Sequence, residues 1–437
     1  MKQNALPTDV ELVVICVPDT IGRLIGKRVP KDRFDDIVEN GLSMPDFHLV
    51  TGIENVPYGD LDVTGYATGF GNGLLFPIEE TLFRLPTEPQ AAFFLAQPCN
   101  KDRVPSEHTP RRILGRQIER LEQHGLNARF ASELEFYLFQ TSYAEAHAKQ
   151  YRELQPFYHF QADYDVLIGG FAEGFLSEVR TGLTGAGIDV EGNQGEGGPG
   201  QYEINIRPAA PLTMADQHAI FKHLVKALAQ QRGYAASFMA KVHSDLAGSS
   251  SHVHVSLSGT GDATSGDALN ENEAAFIAGL VEYTPELILL HVPYANSYRR
   301  LQPETFAPCN VSWAWDNRTA MVRLIKRAKQ LRLEFRLPGA DVNPYHCFAA
   351  ILVAGIEGIE RGLKLPAPIE GNAYEAGARD LPLDISEAVT AFSHSEVAAK
   401  ALSPVVHRHL LDLGIRERDA GRRAVTDWDL MRGFERA

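Results

Sequence analysis

Five short stretches of the chain carry ionisable residues in patterns that could perform chemistry. In the first, ASELEFYLF, Glu133 and Glu135 are two residues apart, so both point to one face if the run is a β-strand. Two carboxylates on one face repel each other unless water solvates them or a cation lies between them. The pair therefore indicates either an exposed face or a cation site in a cleft.

The next two stretches add acidic and imidazole side chains. GEGGPGQYEINI has Glu196 in a glycine loop and Glu203 on the strand that follows. SHVHVSL places His252, His254 and Ser256 on one strand face. Each pattern alone is more often a solvated or structural face than a functional one.

The last two stretches supply arginines. Three of them lie in the segment from NSYRRL to AMVRL: Arg300, Arg318 and Arg323. In KQLRLEFRLPG, one strand face carries Arg332, Glu334 and Arg336. Considered alone, such a strand is commonly a surface ladder of cross-strand ion pairs.

Together the stretches indicate a metal-assisted reaction on phosphate. Their glutamates with one imidazole form a set of hard oxygen ligands plus a nitrogen, which suits Mg²⁺ or Mn²⁺ better than a thiolate-preferring ion. Arginine forks bind carboxylates and phosphates. Carboxylate-bound metals beside several arginines are typical of phosphoryl transfer. The sequence has no P-loop and no kinase-type glycine loop, so a nucleotide would be held in another way.

Composition narrows the class of protein. A chain of 437 residues favours two domains, and 44% hydrophobic with 22% charged residues is typical of a soluble globular protein. The formal net charge of −14 argues against a nucleic-acid partner. The four cysteines form no CxxC pair, which favours a reducing compartment. No apolar run is long enough for a signal or membrane helix, so we expect a cytoplasmic protein with no membrane partner.

The elements that must position these residues divide into two regions. The first hundred or so residues predict short strands and turns, followed by a helix with Thr109 as its N-cap and Gly125 as its stop. We therefore predict domains at 1–106 and 107–437. The larger region mixes strands with long helices, which predicts an α+β fold. Strands are predicted at 128–139, 200–207, 251–258, 310–315, 321–325 and 331–337. Helices are predicted at 165–186, 213–232, 271–289, 343–362, 384–393 and 395–402.

The motifs resemble the glutamine synthetase superfamily. ASELEFYLF, GPGQYEINI, SHVHVSL, NSYRRL, DNRTAMVRL and RLEFRLPGADVNPY occur in the family's order within residues 107–437. GRLIGKRVP and PIEETLFRLP are similar to the family's small N-terminal β-grasp domain. The resemblance implies that domain, then a catalytic domain with an antiparallel sheet and long helices. It also implies a dodecamer of two hexameric rings with active sites between adjacent subunits.

The resemblance further implies a reaction and the residues that perform it. Members of the family make γ-glutamyl phosphate from ATP and glutamate, and an amine then displaces the phosphate. One divalent ion would be held by Glu135, Glu196 and Glu203, and a second by Glu133, His252 and Glu334. The residues implied to contact glutamate are Arg300, Arg336 and Gly248. Arg318 would contact the transferred phosphoryl group. The residues implied to lie at or near the nucleotide are Ser256, His254, Arg323, Lys329 and Arg332.

Two departures from the family concern the amine. Glutamine synthetases carry a loop glutamate that binds ammonium, and here that position is Phe306. The family's DGSS stretch, whose aspartate serves the same ammonium, has no counterpart that we can find. An apolar ring in place of a carboxylate suits an amine with a carbon chain. VTDWDLMRGFE also resembles the branch that glutamylates polyamines and alkylamines.

The sequence therefore predicts an ATP-dependent ligase that joins the γ-carboxyl of glutamate to a polyamine or alkylamine, with Mg²⁺ or Mn²⁺ as cofactor. An alkylamine arrives protonated, with a pKa of about 10, and Glu304 is the candidate to accept its proton. Three alternatives stay open: an ordinary glutamine synthetase in which Phe306 only packs the loop, a catalytically silent structural or regulatory ring, and a two-metal hydrolase. The sequence does not name the amine.

Overall fold

The computed structural model of the protein describes residues 6–259, 269–327 and 330–436. The strands are β1 Leu12–Pro18, β2 Leu24–Pro30, β3 Leu42–Pro45, β4 Asn72–Pro77, β5 Ala91–Cys99, β6 Asn127–Phe139, β7 Val190–Gly195, β8 Gln201–Ile206, β9 Ala235–Ser237, β10 Ser251–Ser258, β11 Trp313–Trp315, β12 Val322–Arg327 and β13 Gln330–Phe335. The α-helices are α1 Phe34–Asn40, α2 Pro110–Gln123, α3 Tyr143–Ala148, α4 Val166–Gly170, α5 Glu173–Gly185, α6 Pro211–Gln231, α7 Glu271–Leu287, α8 Pro344–Glu360, α9 Ile385–Ser393, α10 Glu396–Leu402, α11 Pro404–Arg423 and α12 Asp427–Gly433.

The N-terminal region is a five-stranded sheet in the order β2-β1-β5-β4-β3. Strands β1 and β5 pair in parallel, and the other pairs are antiparallel. Alternation along β1 sends Val13 into a small core with Phe34 of α1 and Phe94 of β5, whose rings stack 4.9 Å apart. Val14 points the other way and joins the large core of the molecule. The sheet therefore has a core on each face.

The catalytic region is built on a second sheet in the order β11-β12-β13-β10-β6-β8-β7, with β9 paired to the end of β6. Its strands are antiparallel except for the edge pair β11 and β12, which is parallel. Helices α2, α6, α7 and α8 pack together over one core that also includes the apolar faces of β6 and β10. The mixture of sheets and long helices confirms the predicted α+β fold.

Two glycines allow helices α7 and α8 to pack closely against each other in this core. A Cβ atom on Gly279 of α7 would lie 2.0 Å from the carbonyl oxygen of Ala354 in α8. A Cβ atom on Gly358 would lie 2.1 Å from the carbonyl oxygen of Ala275. The two helices approach this closely because neither glycine has a side chain.

One sequence expectation about helices was wrong, and one long helix was not predicted. The single helix predicted at 165–186 is two helices, α4 and α5, because the Gly169–Gly170 pair has low helix propensity and ends the first of them. Helix α11 was not predicted at all. The domain boundary near residue 106 stays a prediction. None of the helices in the described ranges combines the length and apolar composition needed to span a bilayer.

Candidate active site

Strand β6 lies in the middle of the site and carries two acidic side chains with different neighbours. Glu133 is opposite His252 on β10 and Asn205 on β8. Glu135 is opposite Glu203 on β8. The two carboxylates of the ASELEFYLF motif therefore belong to two separate groups of ligands.

The first group consists of Glu133, His252 and Glu334, with one ligand atom from each lying within 4.8 Å of the others. His252 Nδ1 is 3.3 Å from Glu133 Oε2 and 3.6 Å from Glu334 Oε1. Burial and the charge of Arg336 lower the pKa of His252, which favours the neutral imidazole that a metal ion needs as a ligand. His254 Nε2 contacts the other oxygen of Glu133 at 2.6 Å.

The second group consists of Glu135, Glu196 and Glu203, again with ligand atoms within 4.8 Å of one another. Burial, followed by the charge of Glu135, raises the pKa of Glu196 to about 8. Burial and the charges of neighbouring glutamates raise the pKa of Glu203 well above its usual range. Three buried or half-buried carboxylates thus lie together with unbalanced negative charge. A divalent cation with oxygen ligands fits this group, and the two groups together could hold two such ions.

Three polar residues that the sequence analysis missed hold the second group in place. Gln194 Nε2 donates to Glu203 Oε1 at 2.7 Å. Ser250 donates to Glu135 through its backbone N–H at 2.8 Å and through its hydroxyl at 2.5 Å. Gln201 Nε2 donates at 3.0 Å to both Glu135 Oε2 and the carbonyl oxygen of Gly248. Gln201 precedes Glu203 by two residues on one strand, and this spacing is a signal that could have identified it.

The arginines predicted to contact glutamate lie beside the first group. Arg336 is buried and forms an ion pair with Glu334. Arg300 is buried and donates to the backbone carbonyls of Leu337 at 2.9 Å and Arg336 at 3.1 Å, and burial lowers its pKa to about 10. A Cβ atom on Gly248 would lie only 2.7 Å from Arg300 Cγ, so this glycine leaves room for the arginine stem.

The residues predicted at or near the nucleotide lie along β10, β12 and β13. Arg323 donates to Glu334 at 2.8 Å and to Asp316 at 2.5 Å. Ser256 donates to the carbonyl oxygen of Leu331 at 3.0 Å, and Arg332 is half-buried on the neighbouring strand. Lys329 lies outside the described residues.

Two of the remaining predicted residues lie on the segment between Leu301 and Ser312. Glu304 and Phe306 are both exposed, and both have positive φ, 64° and 59° respectively. The Phe306 side chain is 61% exposed, and its carbonyl oxygen accepts a hydrogen bond from Arg336 at 3.4 Å. The segment therefore places the Phe306 backbone next to Arg336, which forms an ion pair with Glu334 of the first group.

Arg318, which the sequence predicts to contact the phosphoryl group, is exposed in the turn between β11 and β12. Its charge reaches Tyr164, which the sequence analysis missed. Burial and the charges of Glu196 and Glu203 raise the pKa of Tyr164, although its side chain is 67% exposed. No spacing in the sequence marks this tyrosine.

Comparison with known proteins places the chain in a family. Residues 107–432 match the family described as glutamine synthetase, catalytic domain. The chain belongs to the glutamine synthetase family. The resemblance drawn from the motifs is thereby confirmed.

Several members of the glutamine synthetase family match over most of their length. The gamma-glutamylethanolamide synthetase GlnA4 of Streptomyces coelicolor is 38% identical, over 98% of this chain and 93% of that protein. The glutamate–isopropylamine ligase of a Pseudomonas species is 36% identical, over 88% and 84%. The glutamine synthetase of Thermus thermophilus is 31% identical, over 97% and 96%. The solved structure described as a GmaS/ADP complex superposes with a TM-score of 0.85 at 28% identity, over 98% of this chain and 97% of that one.

Proposed function

We propose that the protein is an ATP-dependent ligase that joins the γ-carboxyl of glutamate to a primary amine through γ-glutamyl phosphate. The observation that carries the proposal is the convergence of two acidic groups and two buried arginines beside a loop whose ammonium-binding carboxylate is replaced by Phe306. Relatives named as ligases of ethanolamine and isopropylamine support an alkylamine as the second substrate.

Glu135, Glu196 and Glu203 would hold one divalent cation, and Glu133, His252 and Glu334 a second. Mg²⁺ or Mn²⁺ bound there supplies positive charge to the phosphate oxygens of ATP. The residues proposed to contact the nucleotide are Ser256, His254, Arg323, Lys329 and Arg332. The four of these residues that the structure describes lie along three adjacent strands, which supports one continuous nucleotide surface.

The arginines and one glycine would position glutamate for attack on ATP. Arg300 and Gly248 form the amino-acid pocket, and Arg336 grips the γ-carboxylate. Arg318 lies on an exposed turn, where it can approach the transferred phosphoryl group and absorb its developing charge. The γ-carboxylate oxygen attacks the γ-phosphorus, ADP leaves, and the acyl phosphate remains held by the arginines.

The amine then attacks the acyl carbon and displaces phosphate. Phe306 would cover the carbon chain of the amine, whose methylenes each gain roughly 0.8 kcal/mol on burial. The attacking nitrogen must lose a proton, and Glu304, two residues earlier in the exposed segment, is the proposed acceptor. Polyamines and monoalkylamines both meet these requirements.

The assembly and location follow from the family and remain part of the proposal. We propose a dodecamer of two hexameric rings, with the N-terminal domain of each subunit completing the site of its neighbour. The proposed location is the cytoplasm. The proposed domains are 1–106 and 107–437.

A coupled ADP-release assay with glutamate, Mg²⁺ or Mn²⁺ and a panel of amines tests the function. We expect at least one alkylamine, polyamine or ethanolamine to give a higher kcat/KM than ammonia. Turnover with ammonia that equals or exceeds every amine would indicate an ordinary glutamine synthetase. No ADP release with either metal would indicate a silent ring protein, and ATP loss without glutamate would indicate a hydrolase.

A further inference from the structure

Residues 366–381 form a segment, which we call the strap, that is hydrogen-bonded to the loop carrying Phe306. Its backbone joins the loop through the hydrogen bonds from Leu381 N to Cys309 O at 3.0 Å and from Val311 N to Arg379 O at 2.8 Å. Asn310 Nδ2 also donates to the carbonyl oxygen of Ala373 at 2.7 Å. These three hydrogen bonds therefore connect the strap to the loop.

The same strap also supports the turn that carries Arg318. Asn317 Nδ2 donates to Gly371 O at 2.6 Å, and the Ala373 N–H donates to Thr319 Oγ1 at 3.0 Å. Ala373 is fully buried. Ala373 is therefore hydrogen-bonded both to the Phe306 loop, on the proposed amine side of the site, and to the Arg318 turn, on the proposed phosphoryl side.

Tyr374, the residue after Ala373, extends to the loop. Its backbone N–H donates to Asn372 Oδ1 at 3.1 Å, and its hydroxyl donates to the carbonyl oxygen of Ala307 at 3.0 Å. The other donor to that oxygen is the Cys309 thiol at 3.7 Å, which is a weak one. Tyr374 therefore supplies the main hydrogen bond to Ala307 O.

Two successive backbone carbonyls of the loop therefore each accept a hydrogen bond from a different side chain. Arg336 donates to Phe306 O, and Tyr374 donates to Ala307 O. The first of these carbonyls belongs to Phe306 itself, whose φ of 59° is a conformation that a bulky residue keeps only when its surroundings enforce it. Both hydrogen bonds therefore restrain the backbone at and directly after Phe306.

We propose that Tyr374 is a positioning residue that fixes the Phe306 loop for the amine substrate. This inference rests on the proposed function, because it assigns Phe306 to the amine. It predicts a defect confined to the second half of the reaction. Glutamate, which is gripped by Arg300 and Arg336, should be bound as before.

The test compares Tyr374→Phe with Tyr143→Phe in the full-length enzyme. The control fits because the Tyr143 hydroxyl makes the same type of bond, to Ala236 O at 2.9 Å, away from the loop. Loss of one such bond predicts a rise in KM for propylamine and ethanolamine of roughly three- to tenfold in Tyr374→Phe. We expect the KM for glutamate and ATP, and the glutamate-dependent ADP burst without amine, to stay within twofold of wild type. Tyr143→Phe should leave every one of these values unchanged.

A second variant, Asn372→Ala, removes the side-chain oxygen that accepts a hydrogen bond from the Tyr374 N–H at 3.1 Å and so loosens the placement of Tyr374 itself. It should raise the KM for amines in the same selective way, and it keeps the test decisive if Tyr374→Phe fails to fold. An unchanged amine KM in the variants, or an equal rise for all three substrates, would overturn the positioning role. A wild-type enzyme that prefers ammonia would instead overturn the proposed function, so the two failures are distinguishable.

Discussion

Substitution of Phe306 by glutamate restores the charge that the ammonium-using members of the family carry at this position. The ring is 61% exposed, so its loss removes only a minor part of the burial energy of a phenylalanine, about 1 kcal/mol. Phenylalanine and glutamate are equally strained at the positive φ of this position. The variant should therefore fold, and its effect should fall on the choice of amine.

The size of that effect follows from burial of methylene groups. If the ring covers the carbon chain, each added methylene lowers the free energy of the transition state by roughly 0.8 kcal/mol, which is about fourfold in kcat/KM. From methylamine to propylamine, the wild-type enzyme should therefore gain about fifteenfold. In Phe306→Glu the gradient should flatten, and ammonia should improve relative to propylamine.

The assay is initial-rate ADP release with ammonia, methylamine, ethylamine and propylamine at saturating glutamate and ATP. Phe306→Leu is the matched control, since it keeps an apolar side chain on the same strained backbone and should keep most of the gradient. A flat gradient in the wild-type enzyme would refute a role for the ring in covering the amine. So would a gradient that survives unchanged in Phe306→Glu.

Three further predictions concern the metal group, the amino-acid pocket and acid stability. Glu203→Gln should reduce the rise in Tm that we expect from Mn²⁺ in the wild-type protein, because it removes a ligand of one proposed ion and leaves the other group intact, whereas the exposed Glu191→Gln should keep the full rise; a full Mn²⁺ response in Glu203→Gln would contradict the assignment. Gly248→Ala should raise the KM for glutamate on the order of tenfold and leave that for ATP unchanged, because the added Cβ atom displaces Arg300. Burial lowers the pKa of two histidines to about 4 and of two others to about 3, against about 6.5 unfolded. They are His48, His346, His291 and His409. The unfolded chain takes up their protons first, so stability should be complete above pH 6.5 and fall by about 2 kcal/mol per histidine at pH 5. The raised pKa values of Glu196 and Glu203 act in the opposite direction over this range, so the check compares the change in denaturant midpoint between pH 7 and pH 5 in wild type and in His291→Phe; equal changes would refute the histidine contribution.

The strands of the site could be predicted from sequence because each alternates polar and apolar residues over a buried sheet. The predicted strand at 251–258 coincides with β10, and that at 128–139 starts one residue inside β6. The separation of Glu133 and Glu135 into two groups could not be derived from their spacing, since it depends on what the neighbouring strands place opposite them. That assignment came from the family resemblance.

Helix α11 was missed for a packing reason. Gly414 lies in the middle of it, where a Cβ atom would be 2.6 Å from Leu289 Cδ2, so the glycine serves close contact with the preceding core. In sequence, the same glycine indicates a helix break. Gln194 and Ser250 were missed because their role is visible only once the carboxylates that they contact have been placed.

The Gln201 amide connects the second acidic group to the proposed amino-acid pocket, and this connection should couple the binding of the two ligands. One nitrogen bridges a carboxylate of the second acidic group and the backbone of the glycine beside Arg300. A cation that fixes the orientation of Glu135 would, through this amide, also fix Gly248, which we propose lines the amino-acid pocket. Thermodynamic reciprocity then requires that glutamate tighten the hold on the cation by the same factor. Glutamate should therefore bind more weakly to metal-depleted protein in a titration, and the two ligands should bind cooperatively.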